Sequence, residues 1–150
     1  MQLNLQTDFA LRVLMALAAA ERQLSVDDIA RRYGISRNHL AKVAQKLQAE
    51  GFVETFRGRG GGMRLARPAQ QIVVGDVVRR FESLDSFVGC FPGASGCAVN
   101  GLCGLKPALN GALVAFLEHL DSYRLSDLVP NRPAFLERLE GVAARRIALG

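Results

Sequence analysis

The sequence predicts a mainly α-helical fold with a small β-wing: a winged helix-turn-helix followed by a long amphipathic helix. Three observations point there. Two short capped helices meet at Gly34 and lead into two strand-like runs around a glycine-rich tip. The excess positive charge is confined to residues 1–67, which hold eleven Lys/Arg against six Asp/Glu, whereas the other 83 residues hold eight of each sign. From Leu105 to Tyr123 the apolar residues recur with the helical period.

The elements follow in order. Thr7 is placed to N-cap a first helix from Asp8 to about Glu21, with Asp8 in the first turn, where a carboxylate suits the helix dipole. Phe9, Leu11, Val13, Leu14, Met15, Leu17 and Ala18 make this helix apolar nearly all round, so it belongs between two layers or two chains. Ser25 caps a second helix from Val26 to Tyr33, with Asp27 and Asp28 in its first turn, and Gly34 ends it. Ile35 packs inward, and Ser36 caps a third helix from Arg37 to about Glu50, with Gly51 suited to the left-handed stop after it. Residues 52–56 and 63–67 read as strands, and Arg57-Gly58-Arg59-Gly60-Gly61-Gly62 is the hairpin tip between them.

Ile72-Val73-Val74 then leads into a helix from about Gly75 to Ser83 that buries Val77, Val78 and Phe81. Residues 85–104 are irregular, rich in glycine, and hold all three cysteines. The long helix from Leu105 to Tyr123 carries the stripe Leu105, Leu109, Ala112, Leu113, Phe116, Leu117 and Leu120. A last helix, about Pro133 to Ile147, is expected from Phe135, Leu136, Leu139, Val142 and Ile147.

Composition sets the class. Nearly half of the 150 residues are apolar, which supports a packed core and argues against bulk disorder. The first residues lack a basic signal-peptide start, and the longest apolar stretch, Val13 to Ala20, is too short to span a bilayer. The expectation is a cytoplasmic protein with no membrane partner, where thiols stay reduced. No Ser/His/Asp set, phosphate loop or dinucleotide fingerprint is present, so the chain is not expected to be an enzyme.

The first 67 residues read as a module for double-stranded DNA. The third helix carries Arg37, Asn38 and His39 in its first turn, the end that enters the major groove in this motif, with Lys42 and Lys46 further along one face. Arg and Asn have the shape for bidentate base contacts. Arg57 and Arg59 sit among glycines at the wing tip, and Arg64 follows on the second strand, where backbone and minor groove are in reach. The same features could serve a protein contact or a plain solvated surface. The basic glycine-rich wing and the confined charge favour DNA.

Cys90, Cys97 and Cys103 fall within fourteen residues, with gaps of six and five. Three thiolates among glycines can converge on one metal centre. The spacing matches no usual zinc pattern, and an odd count argues against a disulfide framework. A metal-free thiol sensor, buried thiols, and a small iron–sulfur redox protein all stay open at this point.

Several of these segments are similar to the Rrf-type winged-helix regulators. They are residues 7–12, the helix start Ser36-Arg37-Asn38-His39-Leu40, the wing 57–62, Gly75-Asp76-Val77-Val78, the three cysteines and Leu125-Ser126-Asp127-Leu128-Val129. Within that family the nearest resemblance is to its nitric-oxide-sensing repressors, and it covers roughly residues 1–129. It implies a homodimer on a palindromic operator, sealed by the long helix. It also implies an iron–sulfur cluster on the cysteine loop, with nitric oxide as the signal that relieves repression. A 4Fe–4S cluster is favoured over 2Fe–2S. A sister regulator holding a two-iron cluster has a histidine three residues after its last cysteine, where this chain has Lys106. Four irons need four ligands, and the resemblance points to Asp8 of the partner chain as the fourth. Asp8 also has the ordinary role of a first-turn acid. An iron-status sensor of the same fold is the alternative regulator.

The expected organisation is a winged helix-turn-helix DNA-binding domain (1–67), a connecting helix (68–84) and a cysteine cluster-binding loop (85–104). A dimerisation helix with the turn after it (105–129) and a helical C-terminal extension (130–150) complete the chain.

Overall fold

The computed structural model describes residues 2–86, 97–99 and 101–149. The first helix, α1 (Leu5–Ala20), forms the centre of the core, burying Ala10, Val13, Leu14, Ala16, Leu17, Ala18 and Ala19. Its cap is Asn4 and not Thr7: Asn4 Oδ1 accepts the Thr7 backbone N–H at 2.8 Å, and Thr7 is fully buried. Asn4 is itself fixed from a distance. Its side chain donates to Phe81 O at 2.9 Å, and its backbone N–H donates to Glu82 at 2.8 Å. The helix therefore starts earlier than local spacing implies.

Helices α2 (Val26–Tyr33) and α3 (Arg37–Ala49) form the helix-turn-helix. Ser25 and Asp28 complete a capping box on α2, and Gly34 closes it at φ 66°. The Ser25 hydroxyl donates to the Asp28 carboxylate and holds its pKa below the ordinary value. Ser36 occupies the N-cap of α3 without a side-chain capping bond. Leu40, Val43, Ala44 and Leu47 bury one face of α3 against α1.

Strands β1 (Val53–Phe56) and β2 (Gly62–Leu65) pair antiparallel, Val53 opposite Leu65 and Phe56 opposite Gly62. The wing is tied to the body at its base. Leu24 and Met63 exchange both backbone hydrogen bonds, at 3.0 and 2.8 Å. Gly62 has no room for a side chain, because a Cβ would lie 2.6 Å from Leu24 O.

Helix α4 (Val74–Phe81) buries Val77, Val78 and Phe81 as expected. The chain then passes through a short 3₁₀ turn, Leu84–Ser86, towards the cysteine segment. Helix α5 (Leu105–Asp121) packs on α4, and the residues after it return beside α4's start, where Val74 N donates to Tyr123 O at 3.0 Å. Arg79 joins α4 to α5 through two bonds of 2.6 Å to Asp121. The guanidinium lowers the Asp121 pKa, and the carboxylate raises that of Arg79. Gly75 lies under this pair, and a Cβ there would collide with Asp121 Oδ1. Gly75→Ala should therefore push the Asp121 carboxylate off Arg79, a partly exposed pair and so a weak one. In denaturant unfolding, Asp121→Asn should then lower the midpoint of the native protein but not of the Gly75→Ala variant, and equal effects in both would contradict it.

The final helix, α6 (Arg132–Leu149), packs on α1 and α2, and Leu139 is buried among core residues with Phe135 and Leu136 beside it. No described helix is long and apolar enough to cross a membrane.

Candidate DNA interface and cysteine site

The start of α3 and the hairpin tip present the expected DNA-contacting cations. Arg37, Asn38, His39 and Lys42 are all exposed, as are Arg57 and Arg59. The tip is shaped by its glycines. Gly58 and Gly60 adopt φ 95° and 76°, and Gly61 N donates to Gly58 O at 2.9 Å. Gln23 donates to Gly60 O and so braces the wing against the loop between α1 and α2.

Three cations are already engaged within the chain. Arg37 pairs with Asp27 of α2 at 2.5 Å, with both side chains about two-thirds exposed. Arg64 pairs with Glu54 at 3.0 Å and lies over the Phe56 ring, 4.7 Å from its centre. Exposed pairs of this kind are weak, so a phosphate can compete for either guanidinium. Lys46, expected to extend the basic face of α3, instead sits over the Phe81 ring at 4.6 Å. Sequence reading missed the bond between Thr55 Oγ1 and Gln48 at 2.8 Å, which ties the wing to α3, and also Arg67, stacked over Phe52. Nothing local marks the Gln48 contact.

The cysteine site is seen in two parts. Cys97 and Cys103 are exposed and not in a disulfide, whereas Cys90 lies outside the described residues, as does most of the expected loop 85–104. Cys103 Sγ accepts the backbone N–H of Leu105 at 3.4 Å, at the point where α5 begins. This bond holds the sulfur at the N-terminal end of a 17-residue helix. Asp8, one turn into α1, pairs with Arg12 at 2.9 Å. Among the described residues no three His, Cys, Asp or Glu side chains converge as a metal site, so Asp8 does not join Cys97 and Cys103 within one chain.

Helix α5 presents a broad unburied surface. None of its residues, all of them described, is buried in the single chain, and Leu105 and Val114 are 59% and 45% exposed.

Comparison with known proteins fits this arrangement. Residues 3–131 match the model of the Rrf2 family, described as an iron-dependent transcriptional regulator. The HTH-type transcriptional regulator NsrR of Bacillus subtilis (strain 168) is 46% identical over 143 residues, covering 93% of this chain and 98% of that protein. The regulator of the same name from Geobacillus kaustophilus (strain HTA426) is 43% identical over 143 residues, covering 93% and 97%. Both similarities run past residue 131 into α6, beyond the family model's end. Among solved structures, T. potens IscR superposes with a TM-score of 0.68 at 26% identity, over 87% of this chain and 88% of that one. CymR, the global cysteine regulator of B. subtilis, gives 0.66 at 25% identity, over 87% and 97%. With a family model matched over most of its length and full-length relatives at 43–46% identity, the chain belongs to the Rrf2 family of DNA-binding transcription regulators.

Proposed function

We propose that the protein is a cytoplasmic, homodimeric repressor of a palindromic operator, released from DNA by nitric oxide through an iron–sulfur cluster. The observation that carries this reading is the pair of exposed thiols Cys97 and Cys103, the latter accepting a backbone N–H at the start of α5, in a chain whose full-length relatives are named NsrR. The donor set fits such a group: thiolates hold iron–sulfur clusters, and hydrogen bonds to their sulfurs tune them. Cys90, Cys97 and Cys103 would hold the cluster, most simply as 4Fe–4S, with Asp8 of the partner subunit as the fourth ligand. When bound, the cluster supplies iron that reacts with nitric oxide.

The chain's own residues supply the rest. Asp8 lies one turn from Asn4, and Asn4 is bonded to the end of α4 where the cysteine segment begins. A change at the cysteine loop therefore bears on α1, on which α3 and β2 pack. A bond from Asp8 to the cluster, made in one state and lost in the other, would be the differential contact a ligand-driven switch requires. A 4Fe–4S centre predicts brown protein after anaerobic purification, with about four irons per chain. Colourless, iron-free protein would contradict it. The family description, iron-dependent regulator, favours a second reading in which iron supply is the signal. Protein that loses operator binding on iron depletion and ignores nitric oxide would select it.

On the DNA side, Arg37, Asn38, His39 and Lys42 read or flank bases, while Arg57, Arg59 and Arg64 meet backbone or minor groove. Asn38→Ala should cost about 1–3 kcal/mol and relax specificity at one position per half-site. Arg59→Ala should weaken binding evenly across sequences. With ~4 phosphate contacts per subunit, log K for the dimer should fall with log salt at a slope of about −7. Binding titrations at several salt concentrations check this, and a flat response would contradict the assigned cations.

A further inference from the structure

We infer, on the reading that Arg37 meets a base edge, that Asp27 is the positioning residue that aims it at one guanine in each half-site. Arg37 is the first residue of α3, and its Nε donates to Asp27 Oδ1 of α2 at 2.5 Å. Neither side chain makes another hydrogen bond among the described residues. A helix start favours anions, so α3 alone would not keep a positive charge there. Its first turn holds no acidic residue, and Ser36 makes no side-chain capping bond. Asp27 offsets the misplaced cation from the neighbouring helix. Its carboxylate is spare for this, because Ser25 and Asp28 complete the capping box on α2 and Asp28 also pairs with Arg31.

The atoms joined decide what the pair does. A guanidinium is planar, and holding its Nε limits how the whole group can turn. The bond to Asp27 uses Nε alone and leaves Nη1 and Nη2 without a partner among the described residues. That terminal fork matches O6 and N7 of guanine, the two acceptors on its major-groove edge. Adenine presents a donor in place of O6, so a fixed fork disfavours it. A free arginine loses rotamer freedom on meeting a base, and one already held loses less. Both side chains are about two-thirds exposed in the free protein, where the pair is weak. Against DNA, water leaves the contact and the hydrogen bond strengthens. A phosphate that drew Arg37 away from Asp27 would give binding without base preference, so the two outcomes are separable.

The test uses anaerobically purified full-length protein and a random-sequence duplex library. Selection with the native protein supplies its operator. Affinities for that duplex, its single-base variants and an unrelated duplex are then measured, at salt low enough for every variant to bind. The native protein should prefer guanine at one position per half-site by at least about tenfold, and Arg37→Ala should erase that preference. Asp27→Ala should cut it by about three- to tenfold and leave the other positions unchanged. On the unrelated duplex Asp27→Ala should bind as tightly as the native protein or more so, because a negative charge is gone. Asp27→Asn, whose amide oxygen still accepts from Nε, should recover part of the preference. Should Asp27→Ala fold poorly, Asp27→Ser, which shortens the side chain by one atom, takes its place. An Asp27→Ala protein that keeps the guanine preference would leave Asp27 a helix-start acid. One that loses affinity for every duplex alike would give it a role in the fold only. Either result overturns the assignment. An Arg37→Ala protein with the native base profile, or a native profile without such a guanine, would instead remove Arg37 from the base edge and the assignment with it.

Discussion

Leu113→Asp should convert the protein to a monomer or an aggregate and abolish operator binding. The reason lies in α5. It is 17 residues long and packs against α4, yet none of its residues, all of them described, is buried in the single chain. Leu113 lies mid-helix on the stripe that runs from Leu105 to Leu120. Leu105 of this stripe is exposed, and Leu109, Leu113, Phe116, Leu117 and Leu120 are only partly covered by the single chain. A two-fold interface, in which the same patch meets itself, is the usual way to cover such a face. An aspartate there would meet its symmetry mate across a low-dielectric seam, where two like charges are strongly disfavoured. Loss of the dimer separates the two recognition helices and with them the second half-site. Light scattering and an operator shift assay check both halves of this, with far-UV circular dichroism confirming that α1–α4 still form. A folded, DNA-binding Leu113→Asp dimer would place the seam elsewhere.

The second large effect is expected at the cysteines. Cys103→Ala should give colourless protein that no longer responds to nitric oxide, with its fold and dimer intact, because Cys103 is exposed and holds only a bond from Leu105 N. Asp8→Ala should leave the three thiols in place and alter the spectrum and nitric oxide sensitivity only in degree. Its pair with Arg12 is an exposed i,i+4 contact worth about 0–1 kcal/mol, so it does not keep Asp8 from a metal. A mixed dimer separates the possibilities: an Asp8→Ala chain that keeps its cysteines, joined to a Cys97→Ala chain that keeps Asp8. Ligation across the dimer predicts one native site, and ligation within a chain predicts none. An Asp8→Ala homodimer identical to the native protein in spectrum and sensitivity would reduce Asp8 to a helix-start residue.

These expectations rest on features of unequal legibility. The α2 boundaries were readable because their determinants are local: Ser25 and Asp28 cap the start and Gly34 the stop, within ten residues. The α1 start was not, because its cap Asn4 is held by Phe81 and Glu82, far along the chain. The wing's sequence announced a hairpin, but its attachment through Leu24 and Met63 is a tertiary pairing with no local pattern. The same holds for α6. Its apolar residues predicted a helix, while its docking on α1 and α2 follows from surfaces more than a hundred residues away. At the cysteine segment, residue type and spacing left metal-free readings open, and the contact between Leu105 N and Cys103 needed the fold.

The proposed release from DNA by nitric oxide is tested by operator affinity in one anaerobic sample, titrated with nitric oxide while its visible spectrum is followed. Cluster absorbance and operator affinity should fall together, and the Cys103→Ala protein should show neither change. Full operator binding after the spectrum has been bleached would contradict it.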